Sequence, residues 1–343
     1  MAQTHALQRR GFELGEISIP STQNKPSKQQ IIEAWKSNKA ITIPAIAMQD
    51  VLQSNTHIQA AHQMMEAMLD GAELADTFEE DAIKQRLLPE FALLASSAEE
   101  HDEQGIEKVY FDVEKAGDIC ADDLWCKASW LSFHDEDASL RFRFSFGMEG
   151  FEDVAADPAR QLWAGELCER IFPESAIITK NTEILSLLQE ILGKEPVFVE
   201  RIVYFNAPNG GAQFHHDVER GHAGVVFAQL SGSTFWLALD KQTLMDEMIN
   251  FAKNNAVSDD LKTLIQHREK LSDYMEEQDH AIVEELIDQQ PDCISYLIGK
   301  GYSHSLQTGD ILLLPQQDLD HCVWHSVFTL GDDPGEALSF AVR

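Results

Sequence analysis

The sequence predicts a mixed α+β fold, in which a β barrel or sandwich carries a helical layer before it and a helical excursion within it. Strand patterns run from Val197 to about residue 240 and resume after residue 300. The stretch between them, 241–300, is polar and carries apolar residues at helical spacing. Strands and helices do not alternate in βαβ fashion, which argues against a parallel sheet.

The first region, 1–105, is predicted to be mainly helical. Residues 1–25 are polar and extended, and Ser27 is placed to cap an amphipathic helix. A short strand is predicted at 40–46. From residue 48 to about residue 100 the apolar residues recur at helical spacing, so we assign that range to helices.

The second region, 106–343, begins where the hydrophobic period changes to two residues. Strict alternation across 141–146 predicts a half-buried strand. Helices are predicted at 158–171 and 182–192. The segments that predict the later strands are VFVERIVYFN, AQFHHD, AGVVFAQL, TFWLAL, GDILLLP, VWHSVFTL and ALSFAVR.

The insertion at about 241–300 interrupts these strands. Its apolar residues favour helices that pack one face against the rest of the protein. The sequence leaves its role open between a surface or dimerisation element and a cover that excludes water from a reactive site.

The chain is strongly acidic, with 26 Lys and Arg against 58 Asp and Glu in 343 residues and a formal net charge of −32. A phosphate backbone or an anionic membrane surface repels such a chain, so we expect neither nucleic acid nor membrane as a partner. No apolar run is long enough to span a membrane, and the N-terminus has no secretory signal pattern. The five cysteines include no CxxC pair, which points to a reduced, cytoplasmic compartment.

Histidine followed two residues later by a carboxylate occurs four times, so its context must decide which pair is functional. His101 and His267 lie in charged, helix-like or loop segments and are expected at the surface. His134 is the one serious rival, but it stands in the acidic, loop-like FHDED. His215 and Asp217 end a strand just after a Gly-Gly turn, where extended backbone places both side chains on one face.

A third metal ligand is expected from a later strand. His325 lies in VWHSVFTL, and His321 stands four residues earlier with the same strand parity, so it is the alternative. Two imidazoles and one carboxylate form the facial triad of non-haem Fe(II) oxygenases, which leaves metal positions open for a cosubstrate and O₂. Zinc is more often closed by four ligands or by three and a water.

This strand block resembles the Jumonji-C and cupin-like branch of the Fe(II)/2-oxoglutarate-dependent dioxygenases. The resemblance runs through FHHD, FAQLSGSTFWLAL, GDILLLP, HSVFTL and LSFAV, over roughly residues 197–240 and 305–343. It implies a double-stranded β-helix (a jelly-roll, cupin-like core) in which His215, Asp217 and His325 bind Fe(II). It also implies hydroxylation coupled to the conversion of 2-oxoglutarate into succinate and CO₂.

The chain departs from this family at the residue that pairs with the distal carboxylate of 2-oxoglutarate. Many members have a lysine two residues after the glycine of the Gln-x-x-Gly strand, and Thr234 stands there. A buried dicarboxylate without a cation is costly. Arg343, on the last strand, is therefore the expected partner, helped by Thr234 or Tyr204. Tyr204 and Asn206 precede the metal motif and are further candidates.

The arginines of the alternating strand, Arg141 and Arg143, are expected to pair with the acidic surface rather than to line a pocket. The sequence therefore predicts an Fe(II)- and 2-oxoglutarate-dependent hydroxylase. Its expected substrate is a small molecule, amino acid, peptide or protein, and a homodimer is compatible with the helical flank. The missing lysine keeps open a cupin-like metal enzyme without 2-oxoglutarate, and a non-catalytic cupin-like binding module is also left open.

Overall fold

The first region combines a β-hairpin, five helices and two further strands. The computed structural model describes residues 3–19, 24–99, 104–131, 138–148, 157–219, 221–277 and 279–343. The elements up to residue 98 are, in order, β1 Gln3–Arg9, β2 Phe12–Ile19, α1 Lys28–Lys36, β3 Ile41–Ile43, α2 Met48–Gln53, α3 Asn55–Leu69, α4 Leu74–Glu79, α5 Asp81–Leu87 and β4 Phe91–Ala98.

The second region holds most of the strands. It begins with β5 Gly105–Lys115, β6 Asp118–Trp130, β7 Leu140–Phe146, α6 Pro158–Ile171, α7 Ala176–Thr179 and α8 Thr182–Leu192. Four strands follow: β8 Phe198–Asn206, β9 Gly211–His215, β10 Gly224–Gln229 and β11 Ser233–Asp240. The insertion comprises α9 Lys241–Asn254, α10 Asp259–Leu264, α11 Arg268–Met275, α12 Ala281–Gln289 and α13 Pro291–Gly299. The last strands are β12 Ser303–Gln307, β13 Ile311–Pro315, β14 Val323–Leu330 and β15 Gly335–Val342.

The predicted mixed α+β fold is confirmed, and several elements match closely. Helices α6 and α8 have the predicted bounds, and the insertion is helical. The predicted helix from 48 to about 100 is wrong after Leu87, because 91–98 forms β4. Its sequence, FALLASSA, is rich in helix-favouring Ala and Leu. Pairing with β5 along its length outweighs that local preference. No described helix is long and apolar enough to cross a membrane.

Two antiparallel sheets place the later strands. The larger has nine strands in the order β3-β13-β10-β15-β8-β7-β6-β5-β4, and the smaller has four in the order β12-β11-β14-β9. A separate two-stranded sheet is the β1–β2 hairpin. The eight strands β8 to β15 are divided between the two sheets, and β7 lies beside β8 in the larger one. The nine-stranded sheet therefore extends past β8 by four strands from earlier in the chain.

Three apolar cores lie on the faces of these sheets. The first is between them, where side chains such as Phe227 of β10 and Trp236 of β11 meet. The second packs the helices of the first region against the nine-stranded sheet. The third packs the insertion and the β1–β2 hairpin against the outer face of the four-stranded sheet. The insertion thus lies behind the smaller sheet.

A buried ion pair joins the hairpin, the insertion and the smaller sheet. Arg9 of β1 and Asp288 of α12 lie 2.7 Å apart, and their side chains are 4% and 1% exposed. The Asp288 carboxylate also accepts the Phe214 N–H of β9 at 2.9 Å, and Arg9 donates to the Ser326 hydroxyl of β14 at 2.6 Å. The strands β9 and β14 are therefore held from behind by charged groups as well as by apolar packing.

A buried pair of carboxyl groups lies under the nine-stranded sheet. The carboxyl groups of Glu174, between α6 and α7, and Glu336, in β15, are both fully buried. Burial raises the pKa of Glu174 to about 7. Burial, followed by the charge of Glu174, raises the pKa of Glu336 well above its ordinary value. The charge of Glu174 therefore favours a proton on Glu336.

Candidate metal centre and cavity

His215, Asp217 and His325 converge at one point on the inner face of the smaller sheet. His215 ends β9 and is the direct ladder partner of His325 in β14, and directly opposed residues have neighbouring side chains. Asp217 follows β9 by two residues. Its Oδ1 lies 3.6 Å from His215 Nε2, and its Oδ2 lies 3.4 Å from His325 Nε2. One potential ligand atom from each of the three residues therefore lies within 4.8 Å of the other two.

Hydrogen bonds to the main chain orient both imidazole rings. His215 Nδ1 lies 2.7 Å from the Gln213 carbonyl oxygen, and His325 Nδ1 lies 3.3 Å from that of Val323. A carbonyl only accepts, so each Nδ1 carries the hydrogen. Each Nε2 therefore presents a lone pair toward the Asp217 carboxylate, which is the arrangement of metal-ligating histidines.

The burial of the three side chains differs and leaves the centre open on one side. The His325 side chain is 3% exposed, against 43% for His215 and 36% for Asp217. Burial, followed by the neighbouring His215, lowers the pKa of His325 to about 4, so its ring is neutral near pH 7. Trp236 stacks on His325, with ring centroids 5.3 Å apart.

A close backbone approach sets the register of the two ligand strands. Gly211 begins β9 with φ +134°, and a Cβ there would lie 2.0 Å from the Val327 carbonyl oxygen of β14. The β9–β14 ladder shifts its register between His325 and Val327, next to this contact. Glycine is required because no side chain fits this space. The Gly-Gly turn therefore permits the pairing that aligns His215 with His325.

A cavity of about 300 Å³ opens beside the three ligand-type residues. Its volume is at the lower end of the range for small-molecule sites. It extends from β14 across β8 to β7, and none of its lining residues comes from the insertion. The residues that line it include Arg141, Arg143, Glu200, Tyr204, Asn206, His216, Glu219, Phe227, Trp236, Leu314 and Val327.

The candidate 2-oxoglutarate contacts are separated by the structure. Tyr204 and Asn206 line the cavity. Thr234 lies elsewhere, because its buried hydroxyl donates to Gln229 Oε1 at 2.8 Å and accepts the Trp236 Nε1–H at 2.9 Å. Arg343 follows the end of β15 and is not among the residues that line the cavity.

Two arginines that were not predicted as site residues form part of the cavity wall. Arg141 and Arg143 of β7 line the cavity instead of pairing only with the outer surface. Arg143 Nε lies 2.7 Å from Glu200 Oε1. Arg141 has neutral described partners: Nε donates to Ser129 Oγ at 2.8 Å and Nη2 to the Gln104 side chain at 3.4 Å. The signal was the Arg-Phe-Arg-Phe alternation, which places both guanidinium groups on one face.

Tyr204 lines the cavity close enough to both Asp217 and Arg141 for their charges to act on its hydroxyl. Burial, followed by the charge of Asp217, raises the pKa of the Tyr204 hydroxyl, and Arg141 and Arg143 oppose that rise. Tyr204 and Arg141 are direct partners on β8 and β7. The cavity wall therefore includes a carboxylate-containing cluster, a phenol and a guanidinium.

The other histidine candidates are accounted for where the structure describes them. His321 is exposed and bonds Asp318 at 2.9 Å, so His325 is the residue that joins the cluster. His267 is exposed, as predicted. His101 and His134 lie outside the described residues.

A second cluster brings Glu200, Glu219 and His222 within the same 4.8 Å limit. Glu200 is ion-paired with Arg143, whose positive charge opposes a cation at that position. This cluster is therefore the weaker candidate for a metal.

Comparisons with known proteins give only distant structural similarity. No protein-family model and no curated protein matches the chain. A solved structure named as an oxidoreductase of the 2OG-Fe(II) oxygenase family, from Burkholderia pseudomallei, matches with a TM-score of 0.35 and 9% identity, over 94% of this chain and 93% of that one. AviO1 from Streptomyces viridochromogenes Tue57 matches at 0.39 and 9%, over 94% and 96%.

For a third solved structure, the match covers less than half of that structure's chain. YcfD, named as a ribosomal oxygenase from Escherichia coli, matches with a TM-score of 0.27 and 12% identity, over 77% of this chain and 43% of that one. The solved structures that resemble this chain include a named member of the 2OG-Fe(II) oxygenase family, the superfamily that its sequence resembles.

Proposed function

We propose that this protein is an Fe(II)- and 2-oxoglutarate-dependent oxygenase that hydroxylates an unactivated C–H bond and releases succinate and CO₂. The observation that carries the proposal is the orientation of His215 and His325, whose Nε2 atoms both face the Asp217 carboxylate at 3.4–3.6 Å. Two imidazoles and one carboxylate on one side of an ion match the facial triad of non-haem Fe(II) oxygenases.

We further propose that β8 to β15 form a double-stranded β-helix. Consecutive strands β8, β9, β10 and β11 fall alternately in the larger and the smaller sheet, and β13, β14 and β15 do the same. The apolar core shared by both sheets supports this proposal, because it requires the sheets to face each other. The candidate ligands then lie inside the paired sheets, next to the cavity.

The donor set fits Fe(II), which would be held by His215, Asp217 and His325. When bound, the iron supplies the redox chemistry that activates O₂. The chain's residues provide the surroundings: Trp236 stacks on the His325 ring, and apolar side chains such as Phe227 and Val327 form part of the cavity wall beside the centre.

We propose that Arg141, rather than Arg343, receives the distal carboxylate of 2-oxoglutarate. Its guanidinium is held by Ser129 and Gln104, which carry no charge, so its positive charge is available to an anion in the cavity. A guanidinium fork matches a carboxylate bidentately. Tyr204, the ladder partner of Arg141 and a lining residue of the same cavity, donates its hydroxyl hydrogen to the same carboxylate.

The substrate class follows from the remaining space. We propose a small molecule or a single side chain of a peptide or protein, because a cavity of about 300 Å³ must also admit the cosubstrate. We also propose a reducing, cytoplasmic setting, which is supported by the five unpaired cysteines. Neither a nucleic acid nor a membrane is proposed as a partner for a chain of net charge −32.

The proposal is tested by adding 2-oxoglutarate to the anaerobic Fe(II) protein and recording the visible spectrum. Chelation of the metal by 2-oxoglutarate is expected to give a weak charge-transfer band, and oxygen should then yield succinate. His325→Ala should abolish both. The matched control is His321→Ala, which removes an exposed histidine four residues earlier and should change neither.

The alternative functions give different results in this experiment. Metal binding without the charge-transfer band would favour a cupin-like enzyme that does not use 2-oxoglutarate. Absence of stoichiometric metal would favour a non-catalytic binding module. Equal signals from wild type and His325→Ala would remove His325 from the centre.

A further inference from the structure

The insertion reaches back to the loop that carries the Asp217 carboxylate. Glu276, just after α11, places its Oε2 2.9 Å from His216 Nε2. His216 stands between His215 and Asp217 in the chain, it is among the residues that line the cavity, and its ring bonds to the insertion. The contact therefore joins a helix behind the sheet to the residue between two candidate ligands.

The His216 ring also forms a hydrogen bond within the loop that carries Asp217. Its Nδ1 accepts the Val218 N–H at 3.1 Å, so the ring hydrogen must be on Nε2 and is donated to Glu276. Asp217 lies beyond the last ladder residue of β9, where no strand pairing holds it. Bonds from one ring to Glu276 and Val218 therefore restrict the backbone on both sides of Asp217.

Glu276 is itself fixed by a buried lysine. Lys241 Nζ lies 2.6 Å from Glu276 Oε1, and the Lys241 side chain is 2% exposed. The Lys241 N–H donates to the Cys322 carbonyl at 3.1 Å, just before β14 begins. A buried ammonium is stable only beside a negative partner, so this pair holds Glu276 in place relative to the strand of His325.

We propose that Glu276 is a positioning residue that, through His216, holds the Asp217 carboxylate against the two imidazoles. The inference rests on the proposed metal site and deepens it. The sequence left the role of the insertion open. Through Glu276, the insertion helps to hold the metal centre in place from the outer side of the smaller sheet. Residues that orient metal ligands typically contribute 10- to 100-fold to metal affinity.

Glu247 of α9 provides a matched control within the same insertion. Like Glu276 it is a largely buried carboxylate with several partners: it accepts the Tyr302 hydroxyl at 2.8 Å, also bonds the Tyr296 hydroxyl, and lies 3.6 Å from Lys300 Nζ. None of these partners belongs to the loop around Asp217. A general loss of packing in the insertion should therefore affect both variants, whereas positioning should affect only Glu276.

The test is a Co(II) titration of the metal-free, full-length protein, followed by its visible d–d absorption, with urea unfolding of each metal-free variant beside it. Glu276→Ala should weaken Co(II) affinity about 10- to 100-fold and alter the band pattern. Glu276→Gln keeps an acceptor for His216 but loses the charge that pairs with Lys241. Its Co(II) affinity should therefore lie between those of wild type and Glu276→Ala. Glu247→Ala should bind Co(II) like wild type, even if its unfolding midpoint falls.

Two results would overturn the inference. Co(II) affinity of Glu276→Ala within twofold of wild type, or an equal loss in Glu247→Ala, would remove the positioning role and leave the proposed metal site standing. A wild-type protein that binds no Co(II) would instead overturn the metal site and the inference with it.

Discussion

Replacing Arg141 tests where the cosubstrate carboxylate binds. Arg141→Ala removes the guanidinium that Ser129 orients at 2.8 Å, and leaves the cavity wall otherwise intact. A charged hydrogen-bonding partner of a carboxylate is worth about 3 kcal/mol. Since about 1.4 kcal/mol corresponds to a tenfold change, affinity for 2-oxoglutarate should fall about 100-fold. Arg141→Lys keeps the charge and loses the fork, so its loss should be smaller.

The assay is a 2-oxoglutarate titration of the anaerobic Fe(II) protein, with the Michaelis constant for 2-oxoglutarate measured from succinate release. Metal affinity should stay unchanged in Arg141→Ala, because Arg141 is not among the ligand-type residues. Arg343→Ala is the control and should bind 2-oxoglutarate like wild type. The opposite pattern, with Arg343→Ala weakened and Arg141→Ala unaffected, would refute the reasoning from the cavity lining.

Three further predictions concern stability and register. Asp288→Ala leaves the buried guanidinium of Arg9 unpaired and should lower the free energy of unfolding, measured in urea, by about 3–5 kcal/mol. A loss below about 1 kcal/mol would contradict the contribution of this buried pair. Gly211→Ala puts a Cβ 2.0 Å from a β14 carbonyl oxygen and should abolish Co(II) binding by the metal-free protein; wild-type affinity would show that the register does not depend on this glycine. The raised pKa of Glu174, about 7, means that the folded state holds more protons than the unfolded state between pH 4.5 and 7, so stability should fall as pH rises through that window. Glu336→Gln should reduce this fall in urea unfolding at pH 5 and pH 8, because the raised pKa of Glu336 adds its own share to the fall. An unchanged pH dependence would contradict that contribution.

Features determined by local sequence were predicted well. The helices at 158–171 and 182–192 were found with the same bounds, because their ends depend on capping groups within a few residues. Asp157 and Asn181 accept main-chain N–H groups at the start of these helices. The three residues proposed as metal ligands from the sequence lie close together in the structure, since strand parity fixes which side chains share a face.

Features that depend on pairing between distant parts of the chain were not predicted. Strand β4 was missed because its composition favours a helix and only its partner β5 makes it extended. Arg141 was placed at the surface because nothing local shows that β7 lies beside β8 in the sheet. The link from His216 to Glu276 spans 60 residues of chain and has no sequence pattern that would reveal it.

The most direct test of the metal centre is the iron content after anaerobic reconstitution with Fe(II) and removal of unbound metal. The chain should retain one iron per molecule, and Asp217→Ala should retain almost none, because the carboxylate lies within 3.6 Å of both imidazole Nε2 atoms. A wild-type protein without iron, or an Asp217→Ala protein that keeps one, would contradict the account.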